Sequence, residues 1–273
     1  MVINNNMAEN LRIPREDFPV LSIFLDRPAR APVLAFYQFA RTVDDIADDP
    51  TKKPTQRADN LAIFRQVLLH RAADPLIDHL RAAVKDDEKL LRHAGDLLTA
   101  FENDQHQTRF QDSADLEQYY RYSANPVGRF LVDLYGEDRA LYPYTDALCT
   151  GLGLITNLRD CGEDLRDLDR VYIPLVFFEQ YHSDINDLLK HRQTPALKVL
   201  CDAQLSWGEA KISEALTAAG EIKSKNLRRH FYLAAHCGRR LAQKMRTRDI
   251  LAKKVNLGAM DMAICLARAW WRA

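Results

Sequence analysis

Apolar residues recur at spacings of three and four along almost the whole chain of 273 residues. This spacing places them on one face of an α-helix, whereas a half-buried strand would alternate apolar and polar residues. No alternating run bounded by turn residues occurs, and the chain has only 10 glycines. A chain of this length with 47% hydrophobic residues can bury a large core. The sequence therefore predicts an all-α fold.

Proline and polar clusters divide this pattern into successive helices, and none of the breaks is long enough to link two domains. We expect a single domain over residues 1–273, with residues 1–16 as a flexible N-terminal segment. Pro126 lies inside a predicted helix and should kink or open it just before the proline. The predicted helices are 18–25, 30–48, 55–72, 75–84, 87–106, 114–135, 139–167, 174–180, 184–191, 195–219, 224–247 and 257–271.

Two aspartate pairs stand out: Asp44 with Asp48 in FYQFARTVDDIADDP, and Asp160 with Asp164 in TNLRDCGEDLRDLDRVYIP. Residues four apart lie on the same face of a helix. Apolar and aromatic residues precede each pair, so both pairs are expected to face inward. Buried like charges need a cation, and carboxylate oxygens are ligands suited to Mg²⁺ and its bound phosphates. The two pairs predict a magnesium–diphosphate site.

A single such pair is more often a solvated acidic helix end, so the interpretation depends on there being two. Arg41 and Arg159 adjoin the pairs, and arginine forks suit phosphate oxygens. Competing pairs occur on the same helices, rotated by about 100°. They fall nearer the polar ends, which favours Asp44/Asp48 and Asp160/Asp164. The competing pairs are Asp45 with Asp49, and Glu163 with Asp167.

Composition excludes several classes of protein. Lys and Arg total 38 and balance 38 Asp and Glu, which argues against a nucleic-acid partner. The 5 cysteines lack CxxC spacing, as expected of buried residues in a reducing compartment. No signal-peptide core or membrane span is found, and the apolar segment 258–271 is interrupted by Asp261 and Arg268. Serine-hydrolase, P-loop and dinucleotide-binding motifs are absent from the sequence.

The segments YQFARTVDDIADD, RDCGED and RVYIP resemble the squalene/phytoene synthase family, and the resemblance extends from about Phe18 to the C-terminal LARAW. It implies one helical bundle of the isoprenoid synthase type, with two Asp-rich motifs facing across a central cavity. Segments 101–110 and 121–136 are most similar to the bacterial hopanoid branch, which forms hydroxysqualene from presqualene diphosphate. Condensing members commonly have Ala-Gly in place of Asn125 and Pro126.

The resemblance implies that Asp44, Asp48, Asp160 and Asp164 bind Mg²⁺ and form the catalytic set together with Tyr37. Aromatic side chains would stabilise a carbocation and exclude water, although ordinary core packing is the better explanation for most of them. The implied aromatic set is Phe36, Tyr37, Phe39, Tyr122 and Phe130. The implied substrate-binding residues are Arg41, Arg159, Asn157, Arg170, Tyr172, Tyr122, Asn125 and Phe36.

Three departures from the family pattern occur. Asn157 lies three residues before Asp160, where the family has four, so a register kept from Asn157 would place Cys161 and Leu165 where the family has its aspartates. Asp169 replaces a glycine before the arginine of RVYIP. Arg248-Asp249 and Lys254 replace a Tyr-Asp pair and an arginine, and lysine keeps the charge without the fork.

The expected function is the Mg²⁺-dependent conversion of presqualene diphosphate to hydroxysqualene. Head-to-head condensation of prenyl diphosphates such as farnesyl diphosphate is the first alternative. A non-catalytic assembly factor of the same fold is the second. We expect a cytoplasmic protein, because no signal-peptide core is found and the cysteines suit a reducing compartment. Peripheral contact at the inner membrane face and contact with partner enzymes of the pathway are left open.

Overall fold

The computed structural model describes residues 22–70 and 72–272, and within them the chain is helical with no strand. Short 3₁₀ turns follow α6, α8 and α9 at 139–141, 185–189 and 219–221. Among the described residues, no helix combines the length and apolar character needed to cross a membrane. The helices are α1 Arg27–Ala47, α2 Pro54–His70, α3 Pro75–Val84, α4 Glu88–Asn103, α5 Ser113–Ser123, α6 Asn125–Leu134, α7 Tyr142–Leu168, α8 Leu175–Gln180, α9 Pro195–Leu216, α10 Lys225–Arg246 and α11 Ala259–Arg272.

Side-chain caps explain where several helices begin. Asp74, Asp87 and Asp112 each accept a hydrogen bond from a backbone N–H in the first turn of the helix that follows. Thr194 and Ser224 do the same for α9 and α10. These caps satisfy N–H groups that have no partner inside the helix, which fixes the helix starts at polar positions.

Two helix predictions need correction. The predicted helix 18–25 is wrong over residues 22–25, which form turns; its first residues, like the proposed segment 1–16, lie outside the described residues. The predicted helix 114–135 is two helices, because α5 ends at Ser123 and α6 begins at Asn125 with Pro126 in its first turn. The break expected before Pro126 is thus confirmed, and the missing N–H of proline explains it.

The buried side chains form two main clusters with a cavity between them. One cluster joins α7, α9 and α10, and the other joins α1, α2, α3 and α4. Helix α7 packs most extensively on α9. Gly151 of α7 allows the close approach, since a Cβ atom there would lie 2.7 Å from the carbonyl oxygen of Gly208 in α9. The pairing of these helices therefore depends on a position without a side chain.

We predict that Gly151→Ala destabilises the fold. Alanine gains about 1 kcal/mol of helix propensity, but overpacking a rigid backbone contact costs about 1–3 kcal/mol. Gly220→Ala is the matched control, because a Cβ atom there meets no heavy atom within 4 Å. Chemical denaturation should show a lower free energy of unfolding for Gly151→Ala and a change below about 0.5 kcal/mol for the control. Equal stability of the two variants would contradict the packing argument.

Candidate active site

An apolar cavity of about 210 Å³ lies between α1, α6, α7 and α10. Phe36 of α1 and Phe130 of α6 stack in its wall, with ring centroids 4.1 Å apart. Most of the lining is aliphatic or aromatic, so the cavity suits a hydrocarbon ligand. Its polar lining side chains are Tyr37, Thr145, Cys149 and His230.

The carboxylates of α1 follow the cavity along the same helical stripe. Tyr37 and Ala40 line the cavity, and Asp44 and Asp48 come one and two turns after Ala40. Arg41 contacts Asp44 at 3.0 Å and Asp45 at 2.9 Å. The α1 stripe therefore changes from apolar to acidic towards the C-terminal end of the helix.

Arg170 lies at the centre of this acidic end and is buried. Its Nη1 donates to Asp48 Oδ1 at 2.6 Å and lies 3.9 Å from Asp104 Oδ2. Burial favours the neutral guanidine, but Tyr172, Asp104 and Asp48 outweigh it and raise the pKa of Arg170 above its ordinary value. Arg170 is thus a fixed cation between two carboxylates from different helix ends.

The two aspartates of α7 have opposite environments. Arg159 donates two hydrogen bonds to Asp160, of 2.9 and 2.7 Å, and Lys254 pairs with it at 2.9 Å. Although burial opposes ionisation, these cations hold the pKa of Asp160 below its usual value. Burial and the charges of Asp160 and Asp48 raise the pKa of Asp164 to about 8. Asp160 is neutralised within the protein, and Asp164 is not.

Two further carboxyls have raised pKa values. Burial and the charge of Asp48 raise the pKa of Asp44 to about 7. Burial likewise raises the pKa of Asp104 to about 7, against the opposing effect of Arg170. Asp104 was not among the sequence candidates. It directly follows α4, in segment 101–110, and only its burial beside Arg170 identifies it as a residue of the site. These carboxyls remain partly protonated near neutral pH unless a cation reaches them.

Burial separates the first residue of each preferred pair from its competitor. The side chain of Asp44 is 34% exposed and that of Asp45 is 60% exposed. On α7, the corresponding values are 22% for Asp160 and 53% for Glu163. The second residues of the α1 pairs do not follow this order, because Asp49 is 23% exposed and Asp48 is 33% exposed.

The α7 register turns Asp164 towards α1. Cys161 is buried in the core with Cys201 of α9, and Leu165 packs against that core. Asp164 is close enough to Asp48 for the two charges to interact. The two residues that a register kept from Asn157 would place at the family's aspartate positions, Cys161 and Leu165, contribute to the core.

The other predicted residues fall in different places. Asn157 donates to the hydroxyl of Tyr120 at 3.2 Å, and the Tyr172 hydroxyl accepts from Tyr119 at 3.4 Å. Asn125 accepts from Thr150 in a separate polar cleft between α5, α6, α7 and α9, on the other side of α6 from the apolar cavity. Tyr122 is half-buried and does not line the cavity. Phe39 is fully buried in the core.

The remaining departures have structural explanations. Asp169 has φ 53°, a left-handed conformation that favours glycine and that aspartate tolerates better than most residues. Arg109 donates to both the carbonyl and the carboxylate of Asp169. Lys254 contacts Asp160, as a replacement for a cation should, whereas Asp249 accepts from the backbone of Gln193 away from the site.

Comparison with known proteins decides the family. The model of the squalene/phytoene synthase family matches residues 11–260. The chain belongs to the squalene/phytoene synthase family. It is 35% identical over 250 residues to the hydroxysqualene synthase of Rhodopseudomonas palustris, covering 91% of this chain and 86% of that protein. It is 34% identical over 246 residues to the hydroxysqualene synthase of Zymomonas mobilis, covering 88% and 82%.

Solved structures of this family share the fold. The crystal structure of squalene synthase HpnC from Alicyclobacillus acidocaldarius matches with a TM-score of 0.72 and 26% identity, covering 84% of this chain and 87% of that one. A dehydrosqualene synthase crystallised with a ligand matches with a TM-score of 0.77 at 20% identity, covering 90% and 87%. The predicted all-α isoprenoid synthase fold and the family resemblance are both confirmed.

We predict that metal binding at this site strengthens as pH rises. Asp44 and Asp164, with pKa values of about 7 and 8, must lose protons to bind a cation. Because these pKa values lie above those of the unfolded chain, the cation-free protein should lose stability as pH rises from about 4 to about 8. Melting with and without Mg²⁺ and inorganic diphosphate should show larger stabilisation at pH about 8.5 than at about 6.

Asp164→Asn provides the control, because ionisation of the diphosphate itself is common to both proteins. The variant should lose much of the pH dependence of the stabilisation. The same pH dependence in wild type and variant would contradict the assignment of Asp164 as a proton-releasing ligand.

Proposed function

We propose that this chain converts presqualene diphosphate to hydroxysqualene, with Mg²⁺ as the required cation. Three relatives at 32–35% identity, each covering 88–91% of the chain, carry the name hydroxysqualene synthase. The observation that carries the proposal is the junction of an apolar cavity with a buried acidic end on the same two helices, α1 and α7. Such a site suits a substrate with hydrocarbon chains and a diphosphate head.

The donor set fits Mg²⁺. The ligands would be carboxylates, which Mg²⁺ prefers, and burial raises the pKa values of Asp44 and Asp164 despite the cations near them. Asp104 Oδ1 is buried with no hydrogen-bond partner in the described part of the chain. No three His, Cys, Asp or Glu side chains among the described residues are close enough together to hold a metal ion by themselves. Substrate phosphate oxygens and water would therefore complete the coordination, as is usual for Mg²⁺.

The residues of the acidic end then have separate roles. Asp44, Asp48, Asp160 and Asp164 would hold Mg²⁺, which supplies Lewis-acid neutralisation of the diphosphate. Arg41 and Arg159 would donate to phosphate oxygens, as arginine forks do. Arg170 keeps Asp48 in place through its 2.6 Å hydrogen bond. These groups favour heterolysis of the substrate C–O bond, in which the diphosphate leaves with the electron pair.

The cavity would stabilise the carbocation and keep bulk water away from it until one water molecule captures it. Stacked Phe36 and Phe130 and the ring of Tyr37 offer π faces to a cation and exclude bulk water. The cation rearranges as the cyclopropane ring of the substrate opens, and hydroxysqualene forms when a water oxygen bonds to the rearranged cationic carbon and loses one proton to solvent. Few polar side chains line the cavity, so an ordered water has few places to bind. Asn125 and Tyr122, which lie elsewhere, take no part in this proposal.

The alternatives differ in substrate. The condensing alternative is represented by a relative named phytoene synthase, from Thermus thermophilus, which is 30% identical over 167 residues but covers only 60% of this chain and 57% of that protein. This shorter match favours condensation less than the near-full-length matches favour hydroxysqualene. A non-catalytic assembly factor is disfavoured, since the enzyme relatives match nearly the whole chain.

The direct experiment incubates the purified protein with Mg²⁺ and either presqualene diphosphate or farnesyl diphosphate in isotopically labelled water. With presqualene diphosphate as the substrate, mass spectrometry should find hydroxysqualene that carries the isotope from the water. Condensation products from farnesyl diphosphate would show that the protein catalyses head-to-head condensation, the first alternative. A folded protein that produces nothing from either substrate would overturn the proposal.

Asp164→Asn should lower kcat by about 100-fold or more, because it would remove a carboxylate that holds the Mg²⁺ neutralising the departing diphosphate. Asp167→Asn is the matched control three residues later on α7, where the side chain is exposed. The control should keep kcat within about twofold. Full activity of Asp164→Asn would remove this residue from the mechanism.

A further inference from the structure

Helix α11 exposes an apolar stripe at its surface. Met260, Ala263, Ile264, Ala267 and Trp271 recur at helical spacing on one face. Met260 is 75% exposed and Trp271 is 86% exposed. Soluble surfaces rarely expose several large apolar residues together, so a continuous stripe of this kind indicates an interaction site.

The opposite face of α11 is occupied by the core. Cys265 and Ala269 are buried against Leu233 and Cys237 of α10. Arg240 and Lys244 of α10 both donate to the carboxylate of Asp261 on α11, and the Arg240 hydrogen bond is 2.7 Å long. The helix is therefore held in one orientation, and its outer stripe is a fixed feature of the surface.

Neighbouring residues enlarge the stripe. Trp270 is 55% exposed, and its ring packs 6.2 Å from that of Phe24. Ile23, next to Phe24, is 70% exposed. We call Ile23, Met260, Ile264, Trp270 and Trp271 together the α11 patch.

The border of the α11 patch is positively charged. Arg229 lies 3.9 Å from the centre of the Trp270 ring. Arg268 and Arg272 are exposed on α11 itself. Burial first, and then the charges of Arg268, Arg272 and Arg239, lower the pKa of His236 to about 4. The one carboxylate of α11, Asp261, is already neutralised by Arg240 and Lys244, so the local charge is positive.

We propose that the α11 patch docks the protein on an anionic phospholipid surface. Tryptophan favours the membrane–water interface, where its ring is buried and its N–H remains hydrated. Arginines next to it attract anionic headgroups. The combination of interfacial tryptophans with a cationic border fits a lipid surface better than a neutral apolar partner or a second copy, whose arginines would repel.

The patch lies one helix away from the cavity. Helix α10, which carries α11, also lines the apolar cavity with Leu227, Phe231 and Ala234. Here the inference rests on the proposed function, since an amphipathic substrate and a largely apolar alcohol product partition into a bilayer. A docked α11 patch would hold the cavity near their source and destination.

The test measures binding to vesicles without substrate, so its result is independent of the proposed reaction. Wild-type protein should co-sediment with vesicles of phosphatidylcholine and phosphatidylglycerol, and much less with phosphatidylcholine alone. Trp271→Ala, and separately Arg268→Gln with Arg272→Gln, should each lower the bound fraction by about fivefold or more. Added salt should weaken binding of the wild type.

Matched controls use exposed residues elsewhere. Val199→Ala alters an apolar residue of α9 that is 55% exposed, and Arg166→Gln alters an exposed arginine of α7. Both should bind as wild type does. Unchanged binding of the patch variants, or loss of binding in the controls, would overturn the proposal.

Fluorescence gives a second readout, because the chain has only 3 tryptophans. In a Trp207→Phe background, only Trp270 and Trp271 emit, and anionic vesicles should shift their emission to the blue. Emission that is already blue and does not respond would show that another part of the chain covers the patch. If the protein does not bind vesicles but forms a dimer that Trp271→Ala dissociates, then a second copy of the chain occupies the patch. Either of these results overturns the proposal.

Discussion

The buried guanidinium of Arg170 joins the two halves of the molecule. It follows α7, which belongs to one core cluster, and it contacts Asp48 and Asp104 at the ends of α1 and α4, which belong to the other. A buried cation of this kind needs its partners, because removing one leaves an uncompensated charge that costs about 3–5 kcal/mol. The cavity lies between the same two clusters, so its acidic end is located by this one ionic contact.

Charge is distributed unequally between the two aspartate pairs. Asp160 already has Arg159 and Lys254, whereas Asp44, Asp104 and Asp164 are buried with less compensation. A protein selected only for stability would pair or expose such groups. Carboxylates whose pKa values stay raised at the end of an apolar cavity are instead expected where a cation binds during function.

The sequence predicts the elements well because helical periodicity is local. The helical class and the break before Pro126 both depend on residues a few positions apart. Tertiary placement depends on how helices pack, and periodicity does not contain that information. Asn125 therefore turned out to lie in a different cleft, and Asp104 was missed because a lone aspartate after a helix resembles any polar helix end.

The same packing explains how the fold can impose a direction on a substrate. On α1, residues 37, 40, 44 and 48 share one stripe, and on α7 the cavity residues Cys149 and Leu152 precede Asp160 and Asp164. Both helices change from apolar to acidic in the same direction, and neither could be reversed without placing carboxylates among Phe36 and Phe130. A molecule with a diphosphate head and hydrocarbon chains thus fits in only one orientation, because the opposite one would bury its charge in an apolar wall.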